Sequence, residues 1–68
     1  MIWIGNFLVE EQDHYIILRV YDPQEMNWLQ LKLRKHGPES IYILAENIYS
    51  GLISIEDVKS LIKYGIGQ

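Results

Sequence analysis

The chain begins with two mostly apolar stretches separated by a short polar segment. Residues 2–9 are rich in β-branched and aromatic side chains, and both alternating sets along this stretch are largely apolar. Such a stretch is typical of a strand that is covered on both sides. Residues 14–21 have the same character, and the four polar residues 10–13 suit a hairpin loop. We therefore predict two neighbouring antiparallel strands.

Strict alternation predicts a third strand over residues 28–35. Leu29, Leu31 and Leu33 alternate with polar residues at positions 30, 32 and 34. A period of two over six residues is that of a half-buried strand, whereas a helix would spread these leucines around its circumference. Leu, Gln and Lys are nevertheless good helix formers, so a helix is the alternative.

The segment that precedes this strand, residues 22–25, predicts a turn. Pro23 presets one backbone angle, and the Asp22 side chain can bond backbone groups close to it. The same residues could start a helix, with Asp22 as the N-cap, Pro23 at the first position and Glu25 at the third. The alternation that follows favours the turn.

After the chain breaker at residues 36–40, the period changes to that of a helix. Apolar side chains of residues 39–50 fall within an arc of about 160°. This pattern predicts an amphipathic helix over residues 39–50, with Ser40 acting as a cap. Ile43 lies in the middle of the polar side, so the apolar run 41–44 could instead form a fourth short strand.

A capping signal predicts a second helix. Ser54 and Asp57 have the spacing of a capping box, and Ile53 and Val58 have that of a hydrophobic staple. The apolar face of this helix consists of Ile55, Val58, Leu61 and Ile62. Glycines are typical helix terminators, and we expect Gly51 and Gly65 to end the two helices, followed by a short tail over residues 66–68.

These elements predict an α+β fold, a three-stranded antiparallel β-meander followed by two C-terminal helices packed on one sheet face, in a single small domain over residues 1–68. The three leucines of the third strand would face the helices. From the second strand, the core set would be His14, Ile16, Leu18 and Val20. For the first strand, the outward set is either Trp3, Gly5, Phe7 and Val9, or Ile2, Ile4, Asn6 and Leu8.

The other sheet face combines aromatic, aliphatic and basic side chains. The expected outward sets are Tyr15, Ile17, Arg19 and Tyr21 on the second strand, and Trp28, Gln30, Lys32 and Arg34 on the third. Three of the six cationic residues lie here. Trp, Tyr and Arg anchor protein interfaces, so we predict a partner-binding surface of Tyr15, Arg19, Tyr21, Trp28, Lys32 and Arg34, most simply for a homodimer.

Two alternatives to a protein interface remain for this outward face. Its aromatic side chains could pack only on their cross-strand neighbours, under the stems of Arg and Lys. They could instead stack the bases of a single-stranded nucleic acid while the cations bind phosphates. A second apolar patch is predicted on the first helix, where Ile43 lies near Tyr42 and Tyr49.

Composition narrows the classes of function. The 68 residues allow one domain, and a net charge of −3 disfavours a general phosphate-binding surface. The absence of cysteine excludes disulfides and thiolate chemistry and favours a reducing compartment. The longest apolar runs span four residues, against about 20 for a membrane helix. The N-terminus lacks the features of a signal peptide, so we expect a cytoplasmic protein.

No residue pattern predicts catalysis. His14 follows Asp13, but this spacing matches no metal-ligand pattern, and His36 lies in a predicted turn. The serines lack an arranged histidine and carboxylate, and the glycines at 65 and 67 precede no helix that could hold a phosphate. We therefore expect a non-catalytic regulator, inhibitor or adaptor without cofactor, metal or small-molecule substrate. Its partner would be a protein, possibly a second copy, with nucleic acid less favoured and no membrane.

Overall fold

The computed structural model describes residues 1–64 as an antiparallel sheet with two helices packed on one of its faces. The strands are β1 (Ile2–Ile4), β2 (Phe7–Glu11), β3 (Tyr15–Asp22) and β4 (Asn27–Arg34), and the helices are α1 (Ser40–Tyr49) and α2 (Ile55–Tyr64). The strand order is β1-β2-β3-β4. The α+β class and both helices are confirmed, but the sheet has four strands where three were predicted.

The additional strand comes from a tight turn inside the predicted first strand. Ile4 pairs with Phe7 across the two-residue turn Gly5–Asn6, and Gly5 takes φ +58°. Positive φ at this position is what the favoured hairpin turns require. The turn reverses the chain, so Ile4 before it and Phe7 and Val9 after it point into the same core. This is why apolar residues occupy both alternating sets of residues 2–9. Neither of the two outward sets proposed for residues 2–9 is therefore correct.

β3 begins one residue later than predicted. His14 lies in the loop and is exposed, so its predicted place in the core is wrong. The loop closes when the backbone N–H of Gln12 donates to the carbonyl of Tyr15 at 2.8 Å. The rest of the predicted core set, Ile16, Leu18 and Val20, is buried.

The turn between β3 and β4 forms as predicted. The Asp22 side chain accepts a hydrogen bond from the backbone N–H of Gln24 at 3.0 Å. The alternative helix does not form, because the chain returns as β4 at Asn27 and pairs with β3 without interruption. In β4, Leu31 is buried, and the flanking Leu29 and Leu33 are half-buried.

α1 begins differently from the expectation. Its N-cap is Glu39, which makes no side-chain capping bond, and Ser40 is the first helical residue. The Ser40 hydroxyl instead accepts hydrogen bonds from the backbone N–H groups of His36 and Gly37, at 2.9 and 3.2 Å. Ser40 therefore stabilises the preceding turn, and its predicted role as a helix cap is wrong. Residues 41–44 lie within this helix, so the alternative of a fourth short strand there is wrong.

The end of α1 is confirmed as a glycine-terminated helix. Gly51 has φ +80°, and its N–H donates to the carbonyl of Ile48, while Leu52 donates to Asn47. This pair of bonds is a Schellman motif, which satisfies carbonyls left free at a helix end.

The capping box of α2 is also confirmed. Asp57 accepts from the Ser54 backbone N–H at 2.8 Å, and the Ser54 hydroxyl accepts from the Asp57 N–H at 3.3 Å. The predicted stop at Gly65 and the tail lie outside the described residues.

The core lies between the sheet and the helices, with α1 in contact with β1 and α2 in contact with β4. Its buried members are Ile4, Phe7, Val9, Ile16, Leu18, Val20, Leu31, Leu44, Ile48 and Val58. The buried Asp22 closes one end of this layer by an ion pair with Lys59 of α2. Both helices pack on this sheet face, and the opposite face is covered mainly by its own side chains.

Candidate functional site

The candidate site is the sheet face that carries no helices, here called the outer face. The strand register places on it Trp3, Leu8, Glu10, Tyr15, Ile17, Arg19, Tyr21, Trp28, Gln30, Lys32 and Arg34. All six predicted partner-binding residues are in this set, and their binding role stays a prediction. Side chains of β3 and β4 divide the outer face into an aromatic end, a centre and a basic end.

At the aromatic end, three exposed rings form a cluster, here called the aromatic trio. The Trp28 ring lies 5.6 Å from that of Tyr21, edge to face, and 6.4 Å from that of Trp3. The three side chains remain 53%, 41% and 61% exposed, respectively. Beside them is a depression of about 400 Å³ that also touches Gly5 and Ile55. Aromatic pairs at these distances hold one another in place, yet most of their surface faces solvent.

Trp3 is the member of the aromatic trio that the sequence did not assign. Its position depends on the Gly5–Asn6 turn, which places Trp3 opposite Leu8 on the outer face. The signal available in the sequence was the glycine between two apolar triplets, because a glycine inside a strand pattern often marks a turn or a bulge.

The centre of the outer face is covered by its own side chains. Ile17 is only 5% exposed although no helix lies over it. Beside it, Arg19 donates to the Gln30 side chain at 3.0 Å and pairs with Glu10 at 3.2 Å. Hydrogen bonds from Gln12 and then from Arg19 hold the pKa of Glu10 below its ordinary value. The centre of the outer face is therefore packed by its own side chains, and Glu10 balances the charge of Arg19.

At the basic end, two cations surround one ring. The Lys32 ammonium lies 4.2 Å from the centroid of the Tyr15 ring, and the Arg34 guanidinium lies 5.9 Å from it. Within residues 1–64, neither cation has a carboxylate at ion-pair distance. Because Glu10 is the one carboxylate among the outer-face side chains and balances Arg19, two positive charges remain on a chain of net charge −3.

The second predicted apolar patch is exposed on α1, and Leu52 in the following loop extends it. Tyr42, Ile43, Tyr49 and Leu52 are each more than half exposed. On the other side of α1, Leu44 and Ile48 are buried in the core, and Ile41 and Ala45 pack against it. This patch lies on the helical side of the molecule, away from the outer face.

The histidines do not form a catalytic arrangement in the part of the chain that the structure describes. His14 and His36 border a shallow depression of about 410 Å³ together with Asp13 and Lys35. No hydrogen bond links either imidazole to a carboxylate, and residues 1–64 contain no group of three or more His, Asp or Glu placed to hold a metal ion.

Comparison of the chain with protein-family models, with curated proteins and with solved structures finds no match in any of the three. Neither described helix has the length and apolar character that crossing a membrane requires. The chemistry of the exposed surfaces is therefore the basis for inferring function.

Proposed function

We propose that the protein is a small non-catalytic protein-binding module, a regulator, inhibitor or adaptor, whose outer face receives an acidic segment of a partner protein. The observation that carries this proposal is the combination on one sheet face of the exposed aromatic trio with two cations, Lys32 and Arg34, that have no carboxylate partner within residues 1–64. The aromatic end supplies apolar contact, and the basic end supplies charge.

The aromatic trio supports a binding role because its rings are exposed and already held in place. Trp28 packs against both Tyr21 and Trp3, so docking a partner would freeze few additional rotamers. Trp and Tyr are also the residues most enriched among side chains that dominate binding energy. A segment lying along β4 could contact Trp28 and then reach Lys32 and Arg34 on the same strand face.

The positive charge of the basic end favours a partner segment that carries carboxylates. Lys32 and Arg34 both lie against the Tyr15 ring, and an exposed cation–π contact contributes about 0.5–1 kcal/mol. A carboxylate could therefore bind either cation at small cost, and complementary potentials accelerate the encounter. The outer face suits a second copy poorly, because both copies would present excess positive charge and Glu10 is already engaged by Arg19.

Intrinsic fluorescence offers a direct test, because both tryptophans of the chain belong to the aromatic trio. The probe is a peptide in which glutamates alternate with tyrosine and leucine, and its control carries lysine in place of glutamate. We expect the acidic peptide to shift the tryptophan emission in a saturable manner and the lysine peptide to leave it unchanged. Absence of any saturable change with the acidic peptide would contradict the proposal.

Charge-reversal variants locate the binding surface. Lys32→Glu/Arg34→Glu is expected to weaken binding of the acidic peptide about 10-fold or more. Lys63→Glu on α2, away from the outer face, is the charge control and should have little effect. Trp28→Ala/Arg34→Glu should also weaken binding while the helical circular-dichroism signal is retained. Equal affinities across these variants would show that the peptide binds elsewhere.

Single-stranded nucleic acid is the competing partner class, since rings and unpaired cations also suit bases and phosphates. An oligothymidylate titration at several salt concentrations distinguishes the two. We expect weak binding that disappears near physiological salt, because the chain carries net negative charge. Tight oligonucleotide binding that is lost in Lys32→Glu/Arg34→Glu would replace the protein-binding proposal with a nucleic-acid one.

A further inference from the structure

β4 is an edge strand whose outer side is unpaired. It is eight residues long, stands last in the strand order, and pairs with β3 residue for residue from Asn27 to Arg34. It contains no bulge and no proline. The other edge strand, β1, has only three residues. Short length, bulges, prolines and charged side chains are the common protections of a sheet edge. β1 is short, whereas β4 is protected by charge alone, at Lys32 and Arg34.

One hydrogen bond fixes which backbone groups of β4 face the open edge. The N–H of Lys35 donates to the carbonyl of His14 at 2.9 Å, and hence points toward β3. Directions alternate along an antiparallel strand, so the even-numbered residues of β4 direct their N–H and C=O groups outward. These residues are Trp28, Gln30, Lys32 and Arg34. Within residues 1–64, none of these backbone groups bonds to a loop or a helix.

The helix layer leaves this edge open. α2 is in contact with β4, and its Lys59 reaches Asp22 at the end of β3. Within residues 1–64, α2 contacts β4 without hydrogen-bonding to its outward backbone groups. The edge offers an eight-residue template for one more strand.

We propose that β4 pairs with β4 of a second copy, antiparallel, across a two-fold axis at Leu31. The two four-stranded sheets would then form one continuous sheet. This proposal goes beyond the outer-face proposal, because it uses the strand edge and commits to a different partner, a second copy of this chain. A second copy is the proposed partner because the side chains of β4 match those of the same strand running in the opposite direction.

With the axis at Leu31, every directly opposed cross-strand pair is compatible, and the two Lys32 side chains are only diagonal neighbours. Lys32 lies opposite Gln30 of the second copy, and Arg34 lies opposite its Trp28, which brings a guanidinium to an exposed indole. Leu29 lies opposite Leu33 of the second copy on the core side. The four outward-facing residues of each copy meet one another, which gives about eight backbone hydrogen bonds.

The neighbouring two-fold registers are less favourable. An axis at Lys32 places the two Lys32 side chains opposite each other, and like charges in that position repel. An axis at Gln30 places Arg34 opposite Met26, which lies in the turn outside the strand. An axis between residues would put core-facing side chains opposite outer-face ones. The axis at Leu31 alone avoids all three defects.

Pairing would also cover apolar surface that the single chain leaves open. Leu29 and Leu33 are half-buried, whereas Leu31 between them is 2% exposed. A second strand beside β4 would cover both flanking leucines. On the outer face, the basic end of each copy would adjoin the aromatic end of the other, so the joined faces would form one surface of twice the width.

Substitutions at Gln30 test both the dimer and its register, using sedimentation equilibrium from micromolar to millimolar concentration. We expect the wild-type chain to dimerise. Gln30→Glu would lie between Arg19 of its own chain and Lys32 of the second copy, and should lower the dissociation constant by about 3- to 10-fold. Gln30→Lys should raise it by a similar factor. The charge swap Gln30→Lys/Lys32→Glu makes the same pair with its two charges exchanged, and should therefore dimerise more tightly than wild type, as Gln30→Glu does.

Gln30→Pro provides a control that does not depend on charge, because the N–H of Gln30 points to the open edge and takes no part in pairing with β3. Proline is tolerated at such edge positions. We expect it to abolish dimerisation while circular dichroism retains the folded spectrum.

Two results would overturn the edge-pairing proposal. One is a wild-type chain that stays monomeric at millimolar concentration with a folded spectrum. The other is an equal weakening by Gln30→Glu and Gln30→Lys, which would indicate a pairing that sets Gln30 opposite itself. The acidic-peptide titration reports the outer-face proposal separately, so the two can fail independently.

Discussion

The Lys59 ammonium of α2 lies 2.8 Å from Oδ2 of Asp22, and within residues 1–64 it forms the only ion pair between the helix layer and the sheet. The Asp22 side chain is 1% exposed and that of Lys59 is 26% exposed. Oδ1 of Asp22 accepts from the backbone N–H of Gln24, whereas Oδ2 has no partner other than Lys59. A carboxylate this well buried is costly without its cation, so the pair ties α2 to the end of β3.

Loss of the Lys59 charge should destabilise the fold strongly. Lys59→Met keeps most of the side-chain stem and leaves Asp22 without a counter-charge, and we expect the thermal midpoint to fall by at least about 10 °C. Lys63→Met on the same helix is the control, because the exposed Lys63 has no carboxylate partner within the described chain. Its midpoint should change little. Differential scanning calorimetry of the two variants makes the comparison.

A double variant separates the charge from the packing. Asp22→Asn/Lys59→Met removes both charges, and we expect it to be more stable than Lys59→Met alone. If Lys59→Met and Lys63→Met lowered the midpoint equally, the ion pair would have no special role in the fold.

The same pair predicts the pH range of stability. The Lys59 ammonium lowers the pKa of Asp22 below its ordinary value of 3.8, so this stabilisation is complete above pH 3.8 and is lost as pH falls through the lower, folded-state pKa. Conversely, Asp22 raises the pKa of Lys59 above its ordinary 10.5, so the stabilisation is complete below pH 10.5 and is lost as pH rises further.

Denaturant titrations across pH, performed on the wild-type chain and on Asp22→Asn/Lys59→Met, isolate this contribution. The difference in unfolding free energy should form a plateau between the two ordinary pKa values and fall at both extremes. Glu10 also has a lowered pKa but is common to both proteins, so its acid-side contribution cancels. A difference that does not vary with pH would contradict the assignment.

Ile17 and Ile43 provide a matched test of the self-packed centre of the outer face. Ile17 is 5% exposed and Ile43 is 55% exposed. Ile17→Ala should cost about 2–4 kcal/mol of unfolding free energy, since it leaves a gap between packed side chains. Ile43→Ala should cost less than about 1 kcal/mol. Urea denaturation monitored by tryptophan fluorescence measures both, and equal costs would mean that the centre of the outer face is not packed.

The elements predicted correctly from sequence carry their signals within a few residues. Leu29, Leu31 and Leu33 alternate on one strand, and Ser54 and Asp57 lie three residues apart in one helical turn. Such signals depend on local geometry and not on the rest of the fold. Even so, Ser40 shows that a suitable residue near a helix start can bond the preceding turn instead.

The missed strand had a shorter local signal. Gly5–Asn6 is a turn-type pair, but it interrupts the apolar run between Ile4 and Phe7 for only two residues. A two-residue turn changes which side chains share a face, and this is why the position of Trp3 could not be derived from alternation along a single strand.

For the candidate site, the alternation of the sequence predicted which side chains of β3 and β4 lie on the outer face, but not which of its cations have a carboxylate partner. Tyr15, Tyr21, Trp28, Lys32 and Arg34 lie where period two placed them. Which cations have partners depends on neighbouring strands. Arg19 pairs with Glu10 of β2, whereas within residues 1–64 Lys32 and Arg34 have the Tyr15 ring and no carboxylate beside them; these differences follow from the register and not from β3 or β4 alone.

The contact between α1 and β1 joins the first strand to a helix that is synthesised after all four strands. Ile4 belongs to the first strand, whereas Ile48 and Val58, which complete the same core, follow all four strands in the sequence. During synthesis, the core face of the sheet therefore has no cover until both helices have emerged from the ribosome. A nascent chain stalled after β4 would expose the apolar core face of the sheet to solvent, as aggregation-prone chains do. Such a chain would need chaperones to keep it from aggregating.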